Sequence, residues 1–198
     1  MFIAFSNVTV WFVLYVSSVL MIVQLKRLYE SERHLSRIDP LTRIENRRAL
    51  LEAVARAKSS SERHRVPLSF AYLDLDGFKQ LNDHFGHSTG DQVLAATATS
   101  IRKVLRPTDL VARVGGDEFA ILLPQTGQEA ATGILDRVRV EIASVMQEPQ
   151  GPITCSIGLV SFHPPIPSVQ EIICSADEAM YTAKAAGKDR LEQREITT

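Results

Sequence analysis

The sequence predicts an α/β sandwich with a mixed or antiparallel sheet, preceded by one transmembrane helix. Three observations predict it. Apolar residues alternate between helical and extended spacing along residues 47–186, as in a layered α/β domain. Gly115-Gly116-Asp117 joins apolar runs at 111–114 and 119–123, a hairpin signal in which glycine supplies the positive φ of a tight turn. That antiparallel pair disfavours a doubly wound parallel sheet. Residues 1–25 contain no charged side chain.

At about 1.5 Å per helical residue, this first segment reaches roughly 36 Å, against a hydrocarbon core of about 30 Å. It is read as an uncleaved anchor, because no basic n-region or small-x-small cleavage site accompanies it. Lys26, Arg27, Arg33 and Arg37 follow, so the positive-inside rule places the remaining chain in the cytoplasm. Residues 26–38 read as a helical linker. Leu25, Leu28 and Leu35 stand near heptad spacing with Glu32 between them, and a dimerising stalk and a plain helix fit equally. Asp39-Pro40 breaks the helix and opens a domain over 39–198, with Asp39 able to cap the next turn of chain.

Within that domain, helices are expected at 47–62, 92–105, 128–147 and 168–186, and strands at 68–75, 111–114, 119–123 and 153–162. Pro164, Pro165 and Pro167 mark a loop before the last helix. The composition, 45% apolar and 23% charged with a net charge of −1 over 198 residues, excludes a disordered chain and a basic nucleic-acid-coating protein. No nucleic acid polymer is expected as a partner. Cys155 and Cys174 have no CxxC or paired-histidine context and read as reduced packing residues.

Two constellations carry chemistry. In LDLDGFKQLNDHFGHSTGD, residues 73–91, an apolar strand ends in Asp74 and Asp76 and runs into Gly77, Phe78 and Lys79. Carboxylates at a strand end beside a glycine turn suit metal and phosphate, the turn offering backbone N–H groups to phosphate oxygens. Asp74 and Asp76 are read as lying on opposite faces, so that one of them ligates from the active face. Asn82, His87 and Asp91 follow in a tight polar run. The second constellation is the hairpin, where Gly115 and Gly116 leave room for a ligand and Asp117 and Glu118 add two carboxylates. If the hairpin lies beside Asp74, three carboxylates suit two divalent ions, and oxygen-only ligands favour Mg²⁺ or Mn²⁺ over zinc.

These residues resemble a known family. DPLTRIENRR at 39–48, LDLDGFKQLNDHFGHSTGD at 73–91, GGDEF at 115–119 and AKAAGKDR at 183–190 are similar to the four blocks of the GGDEF-type diguanylate cyclases. The sequence departs from the family pattern at Arg43, where glycine is usual, and at Lys188-Asp189, where Arg-Asn is usual. The resemblance implies a palm-like sandwich with a central, mostly antiparallel sheet flanked by helices, in a protein of the bacterial inner membrane. It also implies condensation of two GTP into cyclic di-GMP with release of two pyrophosphates, by two domains facing each other as a homodimer. By the same resemblance, Asp74, the Leu75 carbonyl and Asp117 hold two Mg²⁺ or Mn²⁺ per site, and Asp117 and Glu118 serve activation of the 3′-hydroxyl. Lys79 steadies the transferring phosphate; Gly77 and Phe78 line the substrate; Asn82 and Asp91 read guanine with His87 nearby; Lys184 and Lys188 hold the triphosphate.

RPTD at 106–109 is similar to the family's product-inhibition motif, with Arg106 and Asp109 as its residues and Arg137 as a companion. The alternative reading is a catalytically inactive receptor of the same type, binding cyclic di-GMP or GTP.

Overall fold

The computed structural model describes the backbone of residues 2–145 and 153–196, and the side chains of 10–26, 36–145 and 153–196. It divides into two compact units, Met1–Ser36 and Arg37–Thr198. The first is a single helix, α1 (Phe2–Leu35). Among the described residues no helix is long and apolar enough to cross a membrane. The expected transmembrane helix, the membrane as partner and the single-pass inner-membrane placement are therefore corrected. The side chains of Leu28, Glu32 and Leu35, on which with Leu25 the stalk reading rested, and those of Arg27 and Arg33 from the positive-inside reading, lie outside the described residues.

The second unit is built around β2 (Leu68–Asp76). Eight of its nine positions are buried, because helices cover both faces of the sheet. Its side chains therefore serve two cores by turns. Ala71, Leu73 and Leu75 join the core under α3 (Phe78–Phe85), α4 (His87–Val104) and α5 (Gln128–Val145). Phe70 and Tyr72 join the core under α2 (Arg47–His64) and α6 (Val169–Ala185). Around β2 stand β1 (Glu45–Asn46), β3 (Leu110–Gly115), β4 (Glu118–Pro124), β5 (Thr154–Phe162) and β6 (Leu191–Ile196), in the order β1-β3-β4-β2-β5-β6. β2 pairs antiparallel with β4 and β5, and β3 pairs antiparallel with β4. Only the outer β1–β3 and β5–β6 pairs are parallel. This is the mostly antiparallel α/β sandwich that the hairpin implied.

Four elements differ from the sequence expectation, the two-residue β1 among them. α3 was hidden in the polar run after Asp76, and α4 starts at His87 rather than at 92, because Gly86 and Gly90 blur the helical signal. β6, whose sequence is LEQREI, is partly exposed along its length. Charges on an edge strand discourage pairing with other chains and also mask the strand pattern. The end of the 128–147 helix beyond Val145 lies outside the described residues.

Asp39 fixes the opening turn. Its carboxylate accepts from the Thr42 N–H (2.8 Å) and hydroxyl (2.7 Å), and Arg113 Nη1 donates to it at 3.3 Å. Burial opposes ionisation, yet the two Thr42 bonds and Arg113 outweigh it and hold the carboxyl below its ordinary range. A depressed carboxylate pKa contributes stability that is full above the unfolded value and is lost as pH falls through the folded one. Asp39→Asn should therefore melt below the wild type at neutral pH, and the gap should close as pH falls through the carboxylate range. Thermal melts of both proteins across that range check this; a gap that stays constant with pH would show that the charge contributes nothing.

Candidate active site

The pairing of β2 with β4 sets Asp74 directly opposite Glu118, and the Leu75 N–H donates to the Asp117 carbonyl at 3.3 Å. The GGDEF turn is thereby fastened to the end of the central strand. Two residues set its shape. Gly116 takes φ 49°, and a register shift between Arg113 and Gly115 bends the hairpin. Arg113 Nε donates to the Gly116 carbonyl at 2.9 Å while its Nη1 reaches Asp39, so one guanidinium ties the opening turn to the hairpin.

Asp74 is 7% exposed. Burial pushes its pKa up; the hydrogen bond from Lys184 opposes this, and the charges of Asp117 and Glu118 push it further up. The Lys184 ammonium stands 2.8 Å from its Oδ2. Among the described residues no three His, Cys, Asp or Glu side chains gather closely enough to hold a metal ion. The charges of Asp117 and Glu118 reach Asp74, but the three carboxylates do not converge as a metal-holding group, and the Tyr72 hydroxyl donates to Glu118 Oε2 at 3.3 Å. Burial first, and then the Glu118 charge, raise the Tyr72 pKa and keep that phenol protonated.

Asp76 is the chief correction to the reading of the strand end. Residues two apart on a regular strand share a face, so Asp74 and Asp76 are not on opposite faces. They differ in their partners. Asp76 accepts from Thr154 Oγ1 (2.9 Å), Ser156 Oγ (2.8 Å) and the Asp189 N–H (3.0 Å), which leaves Asp74 as the member free of fixed backbone donors. Tyr72 and Arg113 carried no signal of their own, because each acts through a strand register or loop contact that the sequence does not display.

Asn82, on α3, faces Gly90, on α4. A β-carbon built at Gly90 would stand 1.9 Å from Asn82 Oδ1, so glycine is required there for the amide to fit. Asn82 Oδ1 is buried and without a hydrogen-bond partner, an acceptor left ready for a donor from outside the chain. His87 and Asp91, on the first turns of α4, are exposed, as is Lys79 on α3. Gly77 takes φ 75° before α3, and Phe78 is buried behind it.

Lys188 is exposed and adopts φ 64°, followed by Asp189 at φ 43°. Arg139 Nη1 donates to the Asp189 carbonyl at 2.6 Å, and with Asp76 it pins this loop. At a distance from these groups, Asp109 Oδ2 accepts from the Arg106 backbone N–H at 2.9 Å. The Arg106 side chain is left exposed, and Asp109 Oδ1 is buried without a partner. Arg137, on α5, is exposed.

A raised carboxylate pKa means that ionising Asp74 weakens the fold as pH rises. Asp74→Asn should therefore melt at or above the wild-type temperature at neutral pH, Lys184 being exposed enough to turn to water. A melting temperature several degrees lower would show that the Lys184 ion pair outweighs burial and repulsion.

Residues 36–190 match the family described as "Diguanylate cyclase, GGDEF domain". The chain is 42% identical over 166 residues to the diguanylate cyclase DgcP of Pseudomonas aeruginosa, covering 82% of this chain and 25% of that protein. It is 35% identical over 170 residues to DgcM of Escherichia coli K12, covering 86% of this chain and 41% of that one. It therefore spans less than half the length of these relatives. Among solved structures, the coiled coil and GGDEF domain of DgcB from Caulobacter crescentus, in complex with c-di-GMP, superposes with a TM-score of 0.77 at 32% identity, over 90% of this chain and 96% of that chain. SiaD of Pseudomonas aeruginosa, in complex with its activator SiaC, gives 0.75 at 32% identity over 91% of this chain and 74% of that one.

Proposed function

The chain belongs to the GGDEF diguanylate cyclase family, and on that premise we propose that it condenses two GTP into cyclic di-GMP with release of two pyrophosphates. The observation that carries the proposal is the buried Asp74, set across the sheet from Glu118 and facing a single cation, Lys184. A carboxylate is kept ionisable against burial and two like charges where a charged ligand is to be received.

In this reading Asp74, Asp117 and the Leu75 carbonyl bind Mg²⁺ or Mn²⁺, two per site, and the oxygen-only donors suit such hard cations. Asp74 and Asp117 would be the carboxylates of that set and the Leu75 carbonyl its neutral donor. When bound, the ions lower the pKa of the attacking hydroxyl and draw charge from the phosphate. Glu118, oriented by Tyr72, receives the proton of the 3′-hydroxyl, and Asp117 orients the attack. Lys184 exchanges Asp74 for the triphosphate and shares it with Lys188, while Lys79 offsets charge on the transferring group. The Gly77 turn and Phe78 border the phosphates. Asn82 Oδ1 accepts from the guanine edge, Asp91 accepts beside it, and His87 lies at the rim. Each domain holds one GTP, so two chains face one another as a homodimer.

The full chain should convert GTP to cyclic di-GMP only with Mg²⁺ or Mn²⁺, and Asp117→Ala should abolish it. GTP bound without turnover by an enforced dimer would overturn the proposal and leave a receptor. Gly90→Ala, by displacing Asn82, should raise KM for GTP about tenfold or more with a smaller effect on kcat, since it disturbs a buried hydrogen-bond acceptor worth roughly 1–3 kcal/mol; steady-state kinetics separate the two.

The exposed Arg106 and Arg137, with Asp109 bracing the turn, are proposed to bind cyclic di-GMP as a feedback inhibitor, arginine gripping phosphate or guanine through two donors. Arg106→Ala should keep its initial rate and lose sensitivity to added product. Equal sensitivity in both proteins would withdraw the feedback site alone.

A further inference from the structure

We infer that the chain carries a separate anion site between the 39–46 turn and α4, where Arg43, Arg102 and Lys103 frame a cavity of about 400 Å³ suited to a small polyphosphate such as pyrophosphate. Its lining includes none of Lys184, Lys188, Arg106 and Arg137, and it does not depend on the cyclase reading.

The cavity is apolar at its base and cationic at its rim. Ile44 and Ala98 are buried beneath it, while Arg43, Arg102 and Lys103 are exposed around it. Among the described residues, none of these three cations has a carboxylate within ion-pairing distance. The acids nearest Arg43 along the chain are Glu45, which makes no ion pair with any of the three, and Asp39, which is committed to Thr42 and Arg113. Lys103 also lines a neighbouring groove with Asp136, Arg137 and Glu141, where Asp136 is paired with Arg139 at 3.9 Å. The two hydroxyls of the rim are also occupied, that of Thr42 donating to Asp39 and that of Thr99 to the Ala95 carbonyl. Recognition therefore falls to the cations. Two guanidinium forks and an ammonium match the several oxygens of a diphosphate better than a single carboxylate.

A second observation points the same way. Arg43 adopts φ 60°, a left-handed conformation that suits glycine and costs energy for any residue with a β-carbon. The turn is closed by the Arg43 N–H donating to the Asp39 carbonyl at 2.9 Å, so the strained backbone holds its place beside the rim. Arginine is kept where glycine would be easier, and what arginine adds there is a positive charge at the cavity lining.

The test uses the full chain with chelator present and pyrophosphate as the probe, followed by amide NMR. The amides of residues 42–44 and 98–103 should shift on titration. The double variant Arg43→Gly, Arg102→Gln should weaken that response about tenfold or more, as loss of two charge-assisted contacts requires, while the response at residues 184–189 stays as in the wild type. Arg43→Gly relieves the backbone, so the fold persists, and Arg43→Lys should retain most of the binding. Unmoved amides at 42–44 and 98–103, or shifts that the double variant leaves intact, would overturn the site without touching the cyclase proposal, because no turnover is read.

Discussion

The approach of α6 to the central sheet is the constraint on which the site depends. A β-carbon at Gly158 of β5 would stand 2.1 Å from the Met180 N and 2.2 Å from the Ala176 carbonyl, so the helix backbone rests directly on the strand. Ala176, Ala179 and Ala183 turn small side chains to that contact and are fully buried. This close seating brings Lys184, one residue beyond Ala183, to Asp74. It also delivers the 187–190 loop to Asp76 and Arg139. A larger residue at Gly158 would lift the helix and separate both pairs at once, so a glycine with no polar atoms of its own governs where two lysines stand.

That seating answers an electrostatic difficulty. An ionised carboxylate removed from water needs compensation of several kcal/mol, and Asp74 has two further acids beside it. Lys184 supplies part of the compensation and remains one-third exposed, which lets it move without itself becoming a buried charge. The neighbours are managed by other means: Glu118 by the Tyr72 hydroxyl, and the hairpin carrying Asp117 by its carbonyl bond to Leu75. The result is a carboxylate whose ionisation is opposed by burial and by two neighbouring acids and favoured by one lysine, an arrangement common among groups that bind charged ligands.

Legibility in the sequence followed the range of the interaction. β2, β4 and β5 are long, apolar and bounded by turns, and they were read nearly to the residue. Asp117 and Glu118 were placed because a GGD turn has one simple geometry. α3 and β6 were missed because their local composition is polar. The partner of Asp76 was missed for a different reason, since Thr154 and Ser156 meet it only through the β2–β5 register, which is set by the whole sheet. The membrane reading rested on the length of an uncharged segment and the basic residues after it; among the described residues no helix is long and apolar enough to cross a membrane. Asn82 was found from its motif, but its dependence on Gly90 is a matter of two helix backbones passing close together.

The loop at Lys188 and Asp189 shows how a departure from the family pattern is absorbed. Both residues are left-handed, at φ 64° and 43°, a conformation that asparagine adopts more easily than lysine. The backbone is over-determined by its contacts: the Lys188 N–H donates to the Ala183 carbonyl at 3.1 Å, the Asp189 N–H to Asp76, and Arg139 grips the Asp189 carbonyl and lies 3.4 Å from its carboxylate. The aspartate thus gains an ion pair that asparagine would lack, which offsets part of its conformational cost. Strain is tolerated because three elements converge on the loop, and the same convergence fixes the direction in which Lys188 leaves it.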